Sequence, residues 1–233
     1  MGMPDGEKPE MTCYTDLVRD RVRVLYAAAN QSVAHRMDHI ERVLANTRKI
    51  AVHFPDADPE LLTLAVLLHD VTSPFDRKTQ HVRLSMDTAR RIFNGIRYPQ
   101  ERAERVLVII AEHSTEDLKD GDLSSIEARI LFDADKIDGL GPCGIARAFA
   151  LFGQQGNAPP DALAWYRRKI EITLRNMKTN PGRKMAMERL PYVEDFLQRF
   201  EEENAMESEN GEQDPPQEER AMKRSDPSRD EAM

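Results

Sequence analysis

Apolar residues recur at three- and four-residue spacing along most of the chain. Ile40, Val43, Leu44, Thr47, Ile50, Ala51 and Phe54 mark one face of a helix over 40–54. Similar stripes predict helices at 80–94 (Val82, Met86, Ala89, Phe93), 101–113 (Val106, Ile109, Ile110) and 125–138 (Ile126, Ile130, Ala134, Ile137). Further helices are predicted at 144–152, 161–177 and 184–200, the last kinked at Pro191. One segment is different. Asp58-Pro59 has the form of an N-cap followed by proline in the first turn, and the residues it opens, Glu60 to Leu68, are apolar almost all round. Such a helix belongs in the centre of a domain. Period-two alternation and internal repeats are both missing. The linkers are short and carry the usual breakers: Asp56, Ser73-Pro74, Tyr98-Pro99, Asp120-Gly121, Asn157 to Pro160 and Asn180 to Gly182. The pattern predicts one all-α domain over 10–200, after a flexible N-terminus at 1–9.

Charge changes the picture at the C-terminal end. The whole 233-residue chain carries a formal net charge of −8. Residues 201–233 hold 12 acidic and four basic side chains, so this segment accounts for all of it and the body is neutral. The segment has no Leu, Ile, Val, Phe, Tyr or Trp, so it has little apolar surface to offset its ordering entropy and is expected to be a disordered acidic tail. A neutral body lacks the clustered positive charge that nonspecific nucleic-acid binding needs, so no nucleic-acid partner is expected. Two cysteines without a CxxC pair exclude a disulfide scaffold and a zinc finger. With no apolar run of membrane length and no secretory leader, a cytoplasmic protein is expected.

The chemistry is carried by histidines and aspartates. Gly139, Gly141 and Gly144 fit a dinucleotide-binding spacing, but no strand precedes them, so they read as a turn between helices. There is no P-loop and no G-x-S-x-G elbow. His53, at a helix end before Phe54-Pro55, reads as structural. His69-Asp70 ends the most apolar helix of the chain, where an unpartnered carboxylate is costly and a cation would relieve it. An imidazole beside a carboxylate suits borderline or hard divalent ions. His39 lies at the edge of the buried face of its helix. Asp133, Asp135 and Asp138 crowd one packed segment. Asp133 and Asp135 are about 200° apart around a helix, so one segment cannot aim both at one ion. Both lie on stripes with apolar members, which leaves the two open with a weak lean to Asp135.

The local motifs carry a resemblance. His35-Arg36-Met37-Asp38-His39-Ile40-Glu41-Arg42-Val43 resembles the H-x-x-D-H-x-x-R-V opening of the HD-domain superfamily of metal-dependent phosphohydrolases. Leu67-Leu68-His69-Asp70-Val71 is similar to its central L-L-H-D-[IV] motif. Asp133 to Gly139, then Gly141 and Gly144 to Phe149, are similar to the closing stretch of a small free-standing HD hydrolase subgroup. The resemblance covers about residues 32 to 155. It implies an HD-like helical bundle and one divalent cation (Mn, Mg, Co, Ni, Fe or Zn) on His39, His69, Asp70 and Asp135.

The resemblance further implies hydrolysis of nucleotides or a related small phosphate ester by metal-activated water attacking phosphorus. Its alternative is a weakly catalytic or non-catalytic metal-containing binding or signalling module. Many HD nucleotidases have a glutamate three or four residues after the His-Asp pair, where this chain has Ser73 and Pro74. Asp76, or Asp70 itself, is left to orient the water. Charge developing on phosphorus oxygens needs cationic neighbours, for which Lys78, Arg42 and Arg147 are candidates, with His35 as a further substrate contact. His81 and His113 are candidates for protonating the leaving group. The expected partner is a small phosphorylated substrate, with no membrane and with homo-oligomerisation left open.

Overall fold

The computed structural model describes residues 13–28, 36–72, 80–114 and 122–210, with side chains to 205. Among these residues there are nine helices and no strand: α1 (Tyr14–Ala28), α2 (Met37–Ala51), α3 (Pro59–Leu68), α4 (His81–Gly95), α5 (Gln100–Ala111), α6 (Ile126–Asp138), α7 (Gly141–Gln154), α8 (Pro159–Asn176) and α9 (Asn180–Asn210). The all-α HD-like class read from the sequence is the class observed. The expected N-terminal lead 1–9 lies outside the described residues. The boundary expected at 200 falls inside α9, which continues to Asn210, so residues 201–210 of the acidic segment are helical. The remainder, 211–233, lies outside the described residues. Pro191 sits inside α9.

The residue contacts divide the chain into two units, Met1–Val193 and Glu194–Met233. In the second, Arg199 pairs with Asp195 one turn away at 3.0 Å. Everything concerning the site belongs to the first.

There α3 packs against α1, α2, α4, α5 and α6. Its start is fixed by Asp58, whose Oδ1 accepts the backbone N–H groups of Glu60 and Leu61 at 3.0 and 3.1 Å, as an N-cap does. The Asp58 N–H in turn donates to Glu127 of α6. Arg102 pairs with Asp58 and Glu60, tying α5 to the same end. Seven of the ten α3 residues are buried, Leu64 through Leu68 consecutively. Its far end therefore delivers His69 and Asp70 into the interior, 0 and 4% exposed. Helices α2 and α6 lie side by side. Asn46 donates to the Ala134 carbonyl at 3.1 Å, and Arg189 of α9 donates to both Asn46 and the Ile137 carbonyl.

The glycine-rich stretch makes the turn from α6 to α7 at Gly139 and Leu140 and then the first turn of α7. Gly139 ends α6, Gly141 has φ +80° and begins α7, and a Cβ on Gly144 would collide with the Gly139 carbonyl. Its first and last glycines are there for this close approach of backbone to backbone.

A candidate metal centre and its cleft

His39 stands in the first turn of α2, His69 and Asp70 follow the end of α3, and Asp135 lies in α6. These elements bring the four side chains together. His39 Nε2 is 3.7 Å from Asp70 Oδ2 and 3.4 Å from Asp135 Oδ1; His69 Nε2 is 3.6 and 3.9 Å from the same two oxygens. The ligand atoms of His39, His69 and Asp70 lie within 4.8 Å of one another.

The hydrogen bonds fix the tautomers. His69 Nδ1 lies 2.8 Å from the Val66 carbonyl, which only accepts, so this nitrogen carries the proton. Its Nε2 therefore presents a lone pair. That nitrogen is buried and has no hydrogen-bond partner among the described residues. Burial pushes the His69 pKa down to about 4, so the ring is neutral at pH 7. A buried lone pair facing carboxylate oxygens is repulsive, and a cation among these atoms would turn that repulsion into coordination. The residues fit a divalent ion, which a mixed imidazole–carboxylate set can hold.

His39 is oriented from behind. Its Nδ1 donates to Asp138 Oδ2 at 2.8 Å, and the same carboxylate receives Arg42 Nε at 2.7 Å and Arg147 Nη1. Burial alone would raise the Asp138 carboxyl, but His39, Arg42 and Arg147 outweigh it and hold the pKa at about 2. An imidazole backed by a carboxylate in this way is a common arrangement behind metal-binding histidines. The sequence placed Asp138 on the same stripe as Asp135 but gave no sign of this role, since periodicity names a face and not a partner. Arg42 and Arg147, read as substrate contacts, are both engaged with Asp138.

Asp133 points elsewhere. Its carboxylate accepts the N–H groups of Lys178 and Thr179 and the Thr179 hydroxyl, at 2.7–2.8 Å, and so anchors the entry to α9.

Asp70 presents its other oxygen to a second pair of imidazoles. Oδ1 is 3.6 Å from His113 Nε2 and 3.8 Å from His81 Nε2, and these three residues form a second group of close ligand-type atoms. His113, just past the end of α5, donates from Nδ1 to the Ile110 carbonyl at 2.6 Å. Tyr26 of α1 donates to the Asp70 carbonyl at 2.9 Å and holds the turn after α3 in place. His35, Asp76 and Lys78, together with Ser73 and Pro74, lie outside the described residues.

A cleft of about 310 Å³ opens over this cluster. Asp70, His81, His113 and Asp135 lie on its lining, with Lys136, Arg147, Arg168 and Lys169 supplying positive charge and Trp165 and Ile172 apolar surface. Lys136 pairs with Asp135 at 2.7 Å. The Asp135 carboxyl is held well below the usual range: burial opposes this, but Lys136, His39 and His69 prevail. The α8 residues of this lining escaped the sequence reading, although their i, i+3, i+4 spacing was visible.

Fold and site together define a class of protein, an all-helical one whose inward-facing imidazoles and carboxylates are able to hold a cation beneath a cleft with cationic walls. Residues 36–140 match the family model of the HD domain, and the chain is similar to solved HD-superfamily hydrolases. YpgQ of Bacillus subtilis strain 168 is 29% identical over 182 residues, covering 75% of this chain and 86% of its own. The crystal structure of YpgQ in complex with ADP superimposes with a TM-score of 0.64 at 26% identity, over 81% of this chain and 97% of that one. A predicted HD superfamily hydrolase from an uncultured Thermotogales bacterium gives a TM-score of 0.59 at 25% identity, over 86% and 99% of the two chains. A Lactobacillus plantarum protein shares the fold at a TM-score of 0.69 and 20% identity, over 83% and 97%. Among the described residues no helix is long and apolar enough to cross a membrane.

Proposed function

We propose that the protein is a metal-dependent phosphohydrolase acting on nucleotides, with one divalent cation on His39, His69, Asp70 and Asp135. The observation that carries this reading is the buried His69 lone pair directed at two carboxylates on the floor of a cleft with cationic walls. The ADP complex of the related YpgQ supports a nucleotide as the substrate. When bound, a divalent ion there supplies a Lewis acid that makes water nucleophilic near neutral pH and polarises a phosphoryl oxygen.

The chain's own residues do the rest. Asp138 keeps His39 in the tautomer whose Nε2 accepts. Asp70, held at its carbonyl by Tyr26, orients the attacking water through the carboxylate, where many HD nucleotidases use a glutamate. Lys136 and Arg147 face the cleft and stabilise negative charge that grows on the phosphoryl oxygens. His81 and His113, beside the second oxygen of Asp70, hold and pass the proton that the leaving group takes up.

The test is a phosphatase screen with added divalent ions over nucleoside mono-, di- and triphosphates, reading both phosphate and pyrophosphate release. Turnover is expected to need the ion and to vanish in His69→Ala and in Asp70→Ala. Tight nucleotide binding without turnover under any ion would instead assign a binding or signalling module.

A further inference from the structure

The metal-centre donors lie within residues 36–140, the stretch matched by the HD family model, whereas α8 lies outside it. Yet α8 forms a wall of the cleft. Trp165, Arg168, Lys169 and Ile172 occupy positions i, i+3, i+4 and i+7, one face of a helix, and all four line the cleft above Asp70 and Asp135. Two features of this face are not explained by packing. Ile172 leaves 44% of its surface exposed. Arg168 is exposed and makes no ion pair among the described residues, whereas the other wall cations Lys136 and Arg147 are bonded to Asp135 and Asp138.

We propose that this face of α8 selects the substrate, with Trp165 and Ile172 taking the base of a nucleotide and Arg168 and Lys169 taking its phosphates beyond the one attacked. The inference rests on the nucleotide phosphohydrolase reading and assigns its specificity to a segment outside the family core.

The wall is mounted rigidly on the donor helix. Tyr166, buried behind it, donates to the Gly139 carbonyl at 2.9 Å, at the turn that ends α6. On the cleft side, Lys169 leans over the same turn, its Cε 3.5 Å from where a Cβ on Gly139 would stand, a space that glycine leaves open. The distance between the reacting phosphorus and the recognition residues is thereby fixed by one short turn. The Lys169 ammonium rests 4.8 Å from the centre of the Trp165 ring. An indole on the cleft wall offers a surface for stacking, and every base has a face to offer it.

Trp165 is the chain's single tryptophan, so tryptophan fluorescence reports the surroundings of this one ring, which also touches Phe152 of α7. In the experiment, ADP and inorganic pyrophosphate are titrated separately into the full chain with Mg2+, followed by fluorescence and calorimetry. ADP is expected to quench Trp165 with the same midpoint that calorimetry gives. Trp165→Leu is expected to weaken ADP at least tenfold and pyrophosphate less than threefold, and Trp165→Phe to restore ADP to within threefold. The Arg168→Gln/Lys169→Gln double variant is expected to weaken both ligands at least tenfold, with circular dichroism matching the parent. ADP binding that leaves Trp165 fluorescence unmoved, or equal losses of ADP and pyrophosphate in Trp165→Leu, would overturn the α8 assignment and leave the nucleotide reading intact. Hydrolysis of other phosphate esters with no nucleotide binding would overturn both.

Discussion

Two buried groups of this site, His69 and Asp138, are shifted for different reasons, the first by burial and the second by its partners in spite of burial. His69 has no solvent to carry a charge and stays neutral to a pKa of about 4, against 6.5 for an ordinary histidine. In the unfolded chain it takes up its proton near pH 6.5. Between those values the unfolded state binds more protons, so stability rises with pH through this window and is lost as the pH falls from 6.5 towards 4. At 1.36 kcal/mol per unit the full difference is about 3 kcal/mol. Asp138 acts lower down: with a folded pKa of about 2 against 3.8, its stabilisation is complete above 3.8 and is lost towards 2. The urea midpoint of the chelator-treated protein is expected to fall from pH 7 to pH 4.5, and His69→Gln to flatten that slope. A midpoint independent of pH over this range would contradict the neutral buried ring. The sequence marked His69 because it ended the most apolar helix. It gave no hint of the role of Asp138, because the histidine that Asp138 orients lies 99 residues away.

At the scale of elements, the helical stripes were legible to within a few residues because burial of one face imposes their period. The helices expected at 80–94, 101–113 and 125–138 are α4, α5 and α6. The start of α7 was not legible. Gly141 to Gly144 read as turn residues, yet they form the first turn of that helix, since the turn itself needs only Gly139 and Leu140. The choice between Asp133 and Asp135 was not decided by periodicity either, because both sit on packed stripes and only the neighbour each stripe faces separates them. Asp133 faces the entry to α9. Asp133→Ala would leave two N–H groups and a hydroxyl there without their acceptor, at about 1 kcal/mol for each hydrogen bond. A fall of several degrees in melting temperature is expected, with metal affinity of the folded protein changed less than threefold. Asp135→Ala is expected to weaken metal binding at least tenfold in calorimetry while the metal-free melting temperature moves little. The reverse ranking would exchange their roles.

For the whole molecule, charge and structure are unevenly distributed. The neutral body carries the site, and the acidic excess sits beyond residue 200. Composition alone could not foresee that α9 would carry the first ten of those residues as helix, because Glu, Ala and Met are good helix formers even where nothing is buried. Residues 211–233 contain no large apolar side chain apart from Met222 and Met233. Their deletion is expected to leave melting temperature and metal-dependent turnover unchanged. A loss of several degrees in calorimetry would show a docked segment.

The carboxylate that orients His39 also sets a clock for biosynthesis. His39 leaves the ribosome 99 residues before Asp138, which at about 5–20 residues per second is an interval of roughly 5–20 s. From residue 70 onward the chain has His39, His69 and Asp70 but neither the helix that closes the cluster nor the group that fixes the His39 tautomer. On the metal reading proposed above, the complete donor set exists only once α6 has been made and has packed against α2, so the finished geometry and not the nascent chain would choose the ion.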